Sequence, residues 1–227
     1  MTALDERQAR EQLVRHGVRL LEDGLAIGTA GNLSIRIGDR VLITPSAIPY
    51  EATRPEDCCL LDLDANVLEE GGPPSSETPM HLTIYRHTRA GAVVHTHSPF
   101  ATALSTVLDE LPPVHYALAG LGGPIRVAPY ATFGSGDLAR NMLAALEGRS
   151  AALLGNHGTI AYGRDLPQAY LRAQTLEWVC EVYWRAKTFG EPRILPVEEL
   201  DRVRELARGH RGFRRDELAP AGTGEPR

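Results

Sequence analysis

Gly91-Ala-Val-Val-His-Thr-His-Ser-Pro99 is the stretch from which the architecture can be read. Small and β-branched residues lead into His95 and His97, and Ser98-Pro99 closes the run. That composition predicts a buried strand passing into a helix, with Ser98 at the N-cap and Pro99 at the first helical position. Residues two apart on a strand share a face, so both imidazoles can converge on one point. Two readings follow. Neutral imidazole is the commonest metal ligand, and a pair of histidines can equally be satisfied by hydrogen bonds in a polar pocket.

Outward from this stretch, the 227 residues are enough for one large domain or two small ones. A hydrophobic content of 43% and a charged content of 23% are ordinary for a globular protein. A net charge of −5 gives no reason to expect nucleic acid or an anionic membrane as partner. Three cysteines, of which Cys58 and Cys59 are adjacent, make no disulfide framework and fit a reducing cytoplasm. Met1 to Arg10 is charged and lacks the apolar core of a signal peptide, and no apolar run approaches a membrane span. The expectation is a cytoplasmic protein, with residues 1–218 as a single domain and 219–227 as a disordered tail.

Before the central stretch, Asp5 to Asp23 has the periodicity of an amphipathic helix, with Gly24 as a plausible C-cap. Gly28-Thr-Ala-Gly-Asn-Leu-Ser34 precedes a hairpin turning at Gly38-Asp39, and Cys58 to Leu63 reads as a strand. Gly71-Gly-Pro-Pro-Ser-Ser-Glu77 leads into a helix for which Ser75 or Ser76 is the expected N-cap, with Glu77 in its first turn. After it come a short helix from Phe100, a Pro112-Pro113 break, His115-Tyr116 and a glycine-rich loop. Ser135 and Asp165 are set to cap two further helices, the second running to Gly190. Between them, strand Ala151 to Leu154 runs into Gly155-Asn-His157-Gly158. Strands interleaved with helices predict an α/β three-layer sandwich with a central mixed, largely antiparallel sheet flanked by helices.

Three histidines (His95, His97, His157) and one carboxylate (Glu77) can fill a tetrahedral zinc site, or Glu77 can leave its ligand position and move a proton. Asn32, Ser46, Ser75 and Ser76 can hold a phosphate by hydroxyls, amide and backbone without a lysine.

Gly28-Thr-Ala-Gly-Asn32, Thr44-Pro-Ser-Ala-Ile-Pro-Tyr-Glu51, Pro74-Ser-Ser-Glu77, His95-Thr-His97, His115-Tyr116, Ala128-Pro-Tyr-Ala-Thr-Phe-Gly134 and Asn156-His-Gly158 occur in that order. A chain carrying them resembles the class II aldolase/adducin family over roughly residues 5 to 190. The resemblance implies His95, His97, His157 and Glu77 as ligands of one Zn2+ per subunit, and Glu77 as acid/base. It implies Gly31, Asn32, Ser46, Ala47, Ser75 and Ser76 as substrate phosphate-binding positions. It also implies Tyr116 as a catalytic phenol reaching a neighbouring subunit's site in a homotetramer whose active sites lie at subunit interfaces. The implied reaction is reversible cleavage of a ketose 1-phosphate, L-fuculose 1-phosphate or a similar sugar, to dihydroxyacetone phosphate and an aldehyde.

Other enzymes of the scaffold remain open. They are a methylthioribulose-1-phosphate dehydratase, a 5-deoxyketose-1-phosphate aldolase and a ribulose-5-phosphate 4-epimerase, the last disfavoured because its branch tends to carry aspartate where Glu77 stands. A non-catalytic adducin-like module would be expected to lose the histidines. Two positions depart from the aldolase pattern. Ala47 replaces a glycine, which matters only if that residue needs positive φ. No tyrosine follows Tyr183, and the basic run His210 to Arg215 offers only Phe213.

Overall fold

The computed structural model describes residues 5–69 and 71–209. Helix α1 (Glu6–Glu22) buries Ala9, Leu13, Gly17 and Leu20, and Gly24 follows its end at φ 67°. The expected hairpin is β1 (Asn32–Ile37) with β2 (Arg40–Ile43), extended by β3 (Cys59–Asp62) and β4 (Val67–Glu69). Then come α2 (Thr78–His87), β5 (Ala92–Thr96), α3 (Pro99–Ser105), β6 (Glu110–Leu111) and β7 (Ile125–Ala128). The chain continues through α4 (Gly136–Ala145), β8 (Ala151–Leu154), β9 (Gly158–Gly163), α5 (Leu166–Phe189) and α6 (Val197–Gly209).

Among the described residues the strands form a nine-stranded sheet in the order β4-β3-β2-β1-β5-β9-β8-β7-β6. Neighbours are antiparallel except β7 and β8, so the sheet is mixed and largely antiparallel, as the sequence predicts. Alternation along β5 sorts its side chains between two layers of helix. Ala92 and Val94 enter a core with Leu13 and Leu20 of α1, Ala101 and Leu104 of α3, and Ala169 and Leu176 of α5. Val93 enters the opposite core with Met80 and Ile84 of α2 and Leu138 and Met142 of α4. His95 therefore emerges on the α2–α4 side. Thr96 faces the other way, where its hydroxyl meets the Thr159 hydroxyl at 2.7 Å.

Two caps behave as read: Ser135 Oγ accepts the Leu138 N–H at 3.1 Å, and Asp165 accepts the Gln168 N–H at 2.8 Å. A third stands where expected but bonds elsewhere, and the cap of α2 is corrected. Ser98 holds the N-cap position of α3, but its hydroxyl turns to Thr96, 3.1 Å away. Glu177 of α5 caps α3 instead, accepting the Phe100 and Ala101 N–H groups at 2.9 and 2.8 Å. A carboxylate at the positive end of a helix is a stronger acceptor than a hydroxyl, so the distant residue wins.

For α2 neither serine is the N-cap. Glu77 takes that position, and Ser75 Oγ accepts the Glu77 N–H at 3.2 Å. The stretch from Tyr116 to Leu121, read as loop, winds into a 3-10 helix. Cys58, Cys59 and Cys180 are buried and free, as expected of a chain without a disulfide framework. Burial pushes the Cys58 thiol up to about 12 and the Cys59 thiol up to about 11. Among the described residues no helix is long and apolar enough to cross a membrane. The run His210–Arg215 and the tail 219–227 lie outside the described residues.

Candidate active site

β5 and the residue just past its end deliver His95 and His97 to one site, the turn between β8 and β9 delivers His157, and the start of α2 delivers Glu77. The turn is tight for a reason. Asn156 sits at φ 52°, a conformation asparagine tolerates, and a Cβ on Gly158 would run into the Thr96 carbonyl oxygen. One ligand atom from each of Glu77, His95, His97 and His157 lies within 4.8 Å of all the others.

One hydrogen bond fixes how His95 is turned. His95 Nδ1 is 2.7 Å from the Thr159 carbonyl, which can only accept, so Nδ1 carries the proton. With Nδ1 turned to that carbonyl, Nε2 faces the centre. There Nε2 lies 2.6 Å from Glu77 Oε2 and 3.0 Å from His97 Nε2. Burial, with the neighbouring imidazoles, lowers His97 and His157 to about 4, so both rings are neutral at pH 7, the form that binds metal. Burial pushes Glu77 up, but the imidazoles, His95 foremost, outweigh it and hold the carboxyl down at about 2. Glu77 Oε1 is buried with no hydrogen-bond partner and stands 3.5 Å from His157 Nε2. Three imidazole nitrogens, one ionised carboxylate and an orphaned oxygen are the donor set of a divalent cation.

The cluster opens into a cleft of about 390 Å³, lined in part by Gly31, Asn32, Ser46, Ala47, Ser75, Ser76, Glu77, His97 and His157. The six residues expected around a phosphate are thus brought together. Two loops far apart in sequence are stitched to make this wall: Ser46 N–H donates to the Pro73 carbonyl at 2.7 Å, and Pro45 bridges Pro74. Gly31 is required twice over, by its φ of 75° and because a Cβ there would lie 2.8 Å from the His95 carbonyl oxygen.

Ala47 adopts φ 59°, so the first of its two readings holds, and the alanine is strained. Ala47→Gly relieves a left-handed penalty of about 1–2 kcal/mol and gives back about 0.5–1 kcal/mol of unfolded-chain entropy. The expected net gain is roughly 0.5–1 kcal/mol in denaturant melts, and a loss of stability would show that Ala47 is not strained.

Tyr116 is not brought to the cluster within the chain. It is 57% exposed, does not line the cleft, and stacks at 4.4 Å on His115, which meets Trp178 at 4.7 Å. The sequence reading missed His81. This fully buried ring lies between Asn32 and Ser34, with its pKa lowered to about 3 by burial. Its spacing of four from Glu77 on a helix was the signal that could have found it. It also missed the aromatic rim of the cleft, Tyr130 and Phe133.

The sequence matches the family described as Class II Aldolase and Adducin N-terminal domain over residues 11–184. It is 45% identical over 201 residues to the 5-methylthioribulose-1-phosphate/5-deoxyribulose-1-phosphate aldolase of Rhodospirillum rubrum, covering 85% of this chain and 90% of that protein. It is 39% identical over 207 residues to the 5-deoxy-D-ribulose 1-phosphate aldolase of Bacillus thuringiensis serovar kurstaki, covering 90% of this chain and 97% of that one. A solved L-fuculose 1-phosphate aldolase superposes with a TM-score of 0.87 at 37% identity, over 92% of this chain and all of the other.

Proposed function

The chain belongs to the class II aldolase and adducin N-terminal domain family, and from that premise we propose that it cleaves ketose 1-phosphates to dihydroxyacetone phosphate and an aldehyde ending in an apolar group. Class II aldolases are metal-dependent lyases, and the single observation carrying the finer reading is the junction of two sites. The cluster Glu77, His95, His97 and His157 opens directly onto the wall Gly31, Asn32, Ser46, Ala47, Ser75 and Ser76.

His95, His97, His157 and Glu77 would hold the metal, and zinc suits three imidazoles with one carboxylate. When bound, the ion supplies electrophilic polarisation of the ketose carbonyl. The wall residues grip the phosphate by backbone N–H groups and hydroxyls at the start of α2, which fixes the sugar's reacting end against the histidines. In cleavage the C4 hydroxyl passes its proton to the side-chain oxygen of the partner subunit's Tyr116, the C3–C4 bond breaks to leave the aldehyde carbonyl at C4, and the electron pair stays on C3. Glu77 then returns a proton to C3 and removes it in the reverse direction.

The relatives named for 5-deoxyribulose 1-phosphate favour that substrate over L-fuculose 1-phosphate. So does the rim of Tyr130, Ala131 and Phe133, which offers apolar surface to a methyl or methylthio end. The test is a panel assay. Purified protein with zinc is given 5-deoxyribulose, 5-methylthioribulose and L-fuculose 1-phosphates and ribulose 5-phosphate, and dihydroxyacetone phosphate is measured. The first two should exceed L-fuculose 1-phosphate by about tenfold or more in kcat/KM. Release from none would end the aldolase reading.

Residues 1–218 form one domain and act in the cytoplasm as a homotetramer on this proposal, with Tyr116 of one subunit completing its neighbour's site. Its exposure and its place outside the cleft lining of its own chain support that placement. Glu77→Gln and Tyr116→Phe chains, each inactive, are expected to regain about one quarter of parent activity when mixed equally and reassembled, since two independent halves must both be intact. Reassembled mixtures no more active than the separate variants would refute a shared site.

A further inference from the structure

We propose that His81 is a positioning residue that fixes the Asn32 amide so that its two N–H donors face the substrate cleft. The ligand Asn32 meets there rests on the aldolase reading above; the rest is geometry.

Glu77, His81 and Tyr85 stand four residues apart, so they form a polar stripe along one side of α2. Asn32 and Ser34 stand two apart on β1 and face that stripe. His81 Nε2 is 2.6 Å from Asn32 Oδ1, and His81 Nδ1 is 2.7 Å from Ser34 Oγ. Ser34 Oγ is in turn 2.7 Å from the Tyr85 hydroxyl. Ser34 and His81 are 0% exposed, Tyr85 1% and Asn32 5%, so water does not share these bonds.

The atoms leave one direction for the chain. Asn32 Oδ1 can only accept, so Nε2 donates and carries the ring's proton. Nδ1 is then an acceptor, which makes Ser34 the donor to it, and Tyr85 the donor to Ser34. With its oxygen held, Asn32 has only its NH₂ to offer the cleft that it lines. The opposite amide would present a carbonyl oxygen to phosphate and hydroxyl oxygens. It would lose a donor and add a repulsion. Neither His81, Ser34 nor Tyr85 lines the cleft, so each acts through Asn32.

The ring is read directly by long-range proton–nitrogen NMR of the ¹⁵N-histidine protein, with the His81 signals identified by their loss in His81→Phe. The expected result is a neutral ring protonated on Nε2, and protonation on Nδ1 overturns the proposal whatever the substrate. Kinetics supply the second arm. His81→Phe should raise KM for the ketose 1-phosphate about tenfold with a much smaller change in kcat, as loss of a donor to a charged ligand predicts. If His81→Phe does not fold, Ser34→Ala removes the donor that sets the ring and should move KM the same way. The double variant with Asn32→Ala should lose no more than Asn32→Ala alone. Losses that multiply would show that His81 does not work through Asn32. A protein inactive on every ketose 1-phosphate sinks the aldolase reading, while the tautomer still decides the arrangement.

Discussion

Replacing His95 by alanine is expected to remove the metal and, with it, activity by more than about a thousandfold, equivalent to roughly 4 kcal/mol or more of lost transition-state stabilisation. His95 is the most buried of the three imidazoles, and its Nδ1–H is locked on the Thr159 carbonyl, so Nε2 is aimed before any ion arrives. A preset ligand of this kind costs little to organise on binding. Metal content measured by atomic emission should fall from about one ion per chain to near none, because only two imidazoles would remain beside Glu77, the carboxylate that must also move the proton. The fold should survive, because His95 belongs to neither of the two main apolar cores that flank the sheet. Circular dichroism checks this. Full metal retention in folded His95→Ala protein would remove His95 from the site, and the same measurement applies to His97→Ala and His157→Ala.

Glu77→Gln is expected to keep the ion and abolish proton exchange. Glutamine preserves the shape and one oxygen donor, and the three imidazoles remain. What disappears is the charge, and with it the ability of the buried oxygen to take a proton from carbon. Positioned acid–base catalysis contributes about 10²–10⁴-fold, so kcat should drop by that order while KM changes little. The direct readout is deuterium wash-in to dihydroxyacetone phosphate in heavy water. Exchange at the parent rate in metal-loaded Glu77→Gln would make Glu77 a ligand and helix terminus only. The pH dependence has a definite sign. The Glu77 carboxyl is held at about 2, well below the ordinary carboxylate range, so its ionised form contributes stability that is present above the ordinary value and is lost as pH falls toward 2.

Much of this was legible in one dimension. The small and β-branched run before His95 had to be a buried strand, and two-residue alternation then put His95 and His97 together. Ser135 and Asp165 announced the helices they cap because an N-cap bond spans only three residues. His157 between Gly155 and Gly158 marked a turn at a strand end, which is where ligands are presented.

What failed to show was whatever depends on competition between distant groups. Ser98 stands at the N-cap of α3 as read, yet Glu177, brought over by α5, offers two charged oxygens and makes the capping bonds. Ser75 and Ser76 looked like caps of α2, yet the chain enters one residue later and leaves Glu77 at the N-cap. Ala47 could be read as strained or harmless, and its φ was decided by the stitching of its loop to Pro73 and Pro74. His81 had no local meaning until β1 set Asn32 and Ser34 against both of its ring nitrogens. The sequence by itself determined the mixed sheet, the candidate ligand residues and the ordered motifs of the family, because periodicity and short-range hydrogen bonds are properties of neighbours along the chain. The tertiary structure alone decided protonation, capping partners and backbone strain, because each is the outcome of groups tens of residues apart competing for the same donor, acceptor or space.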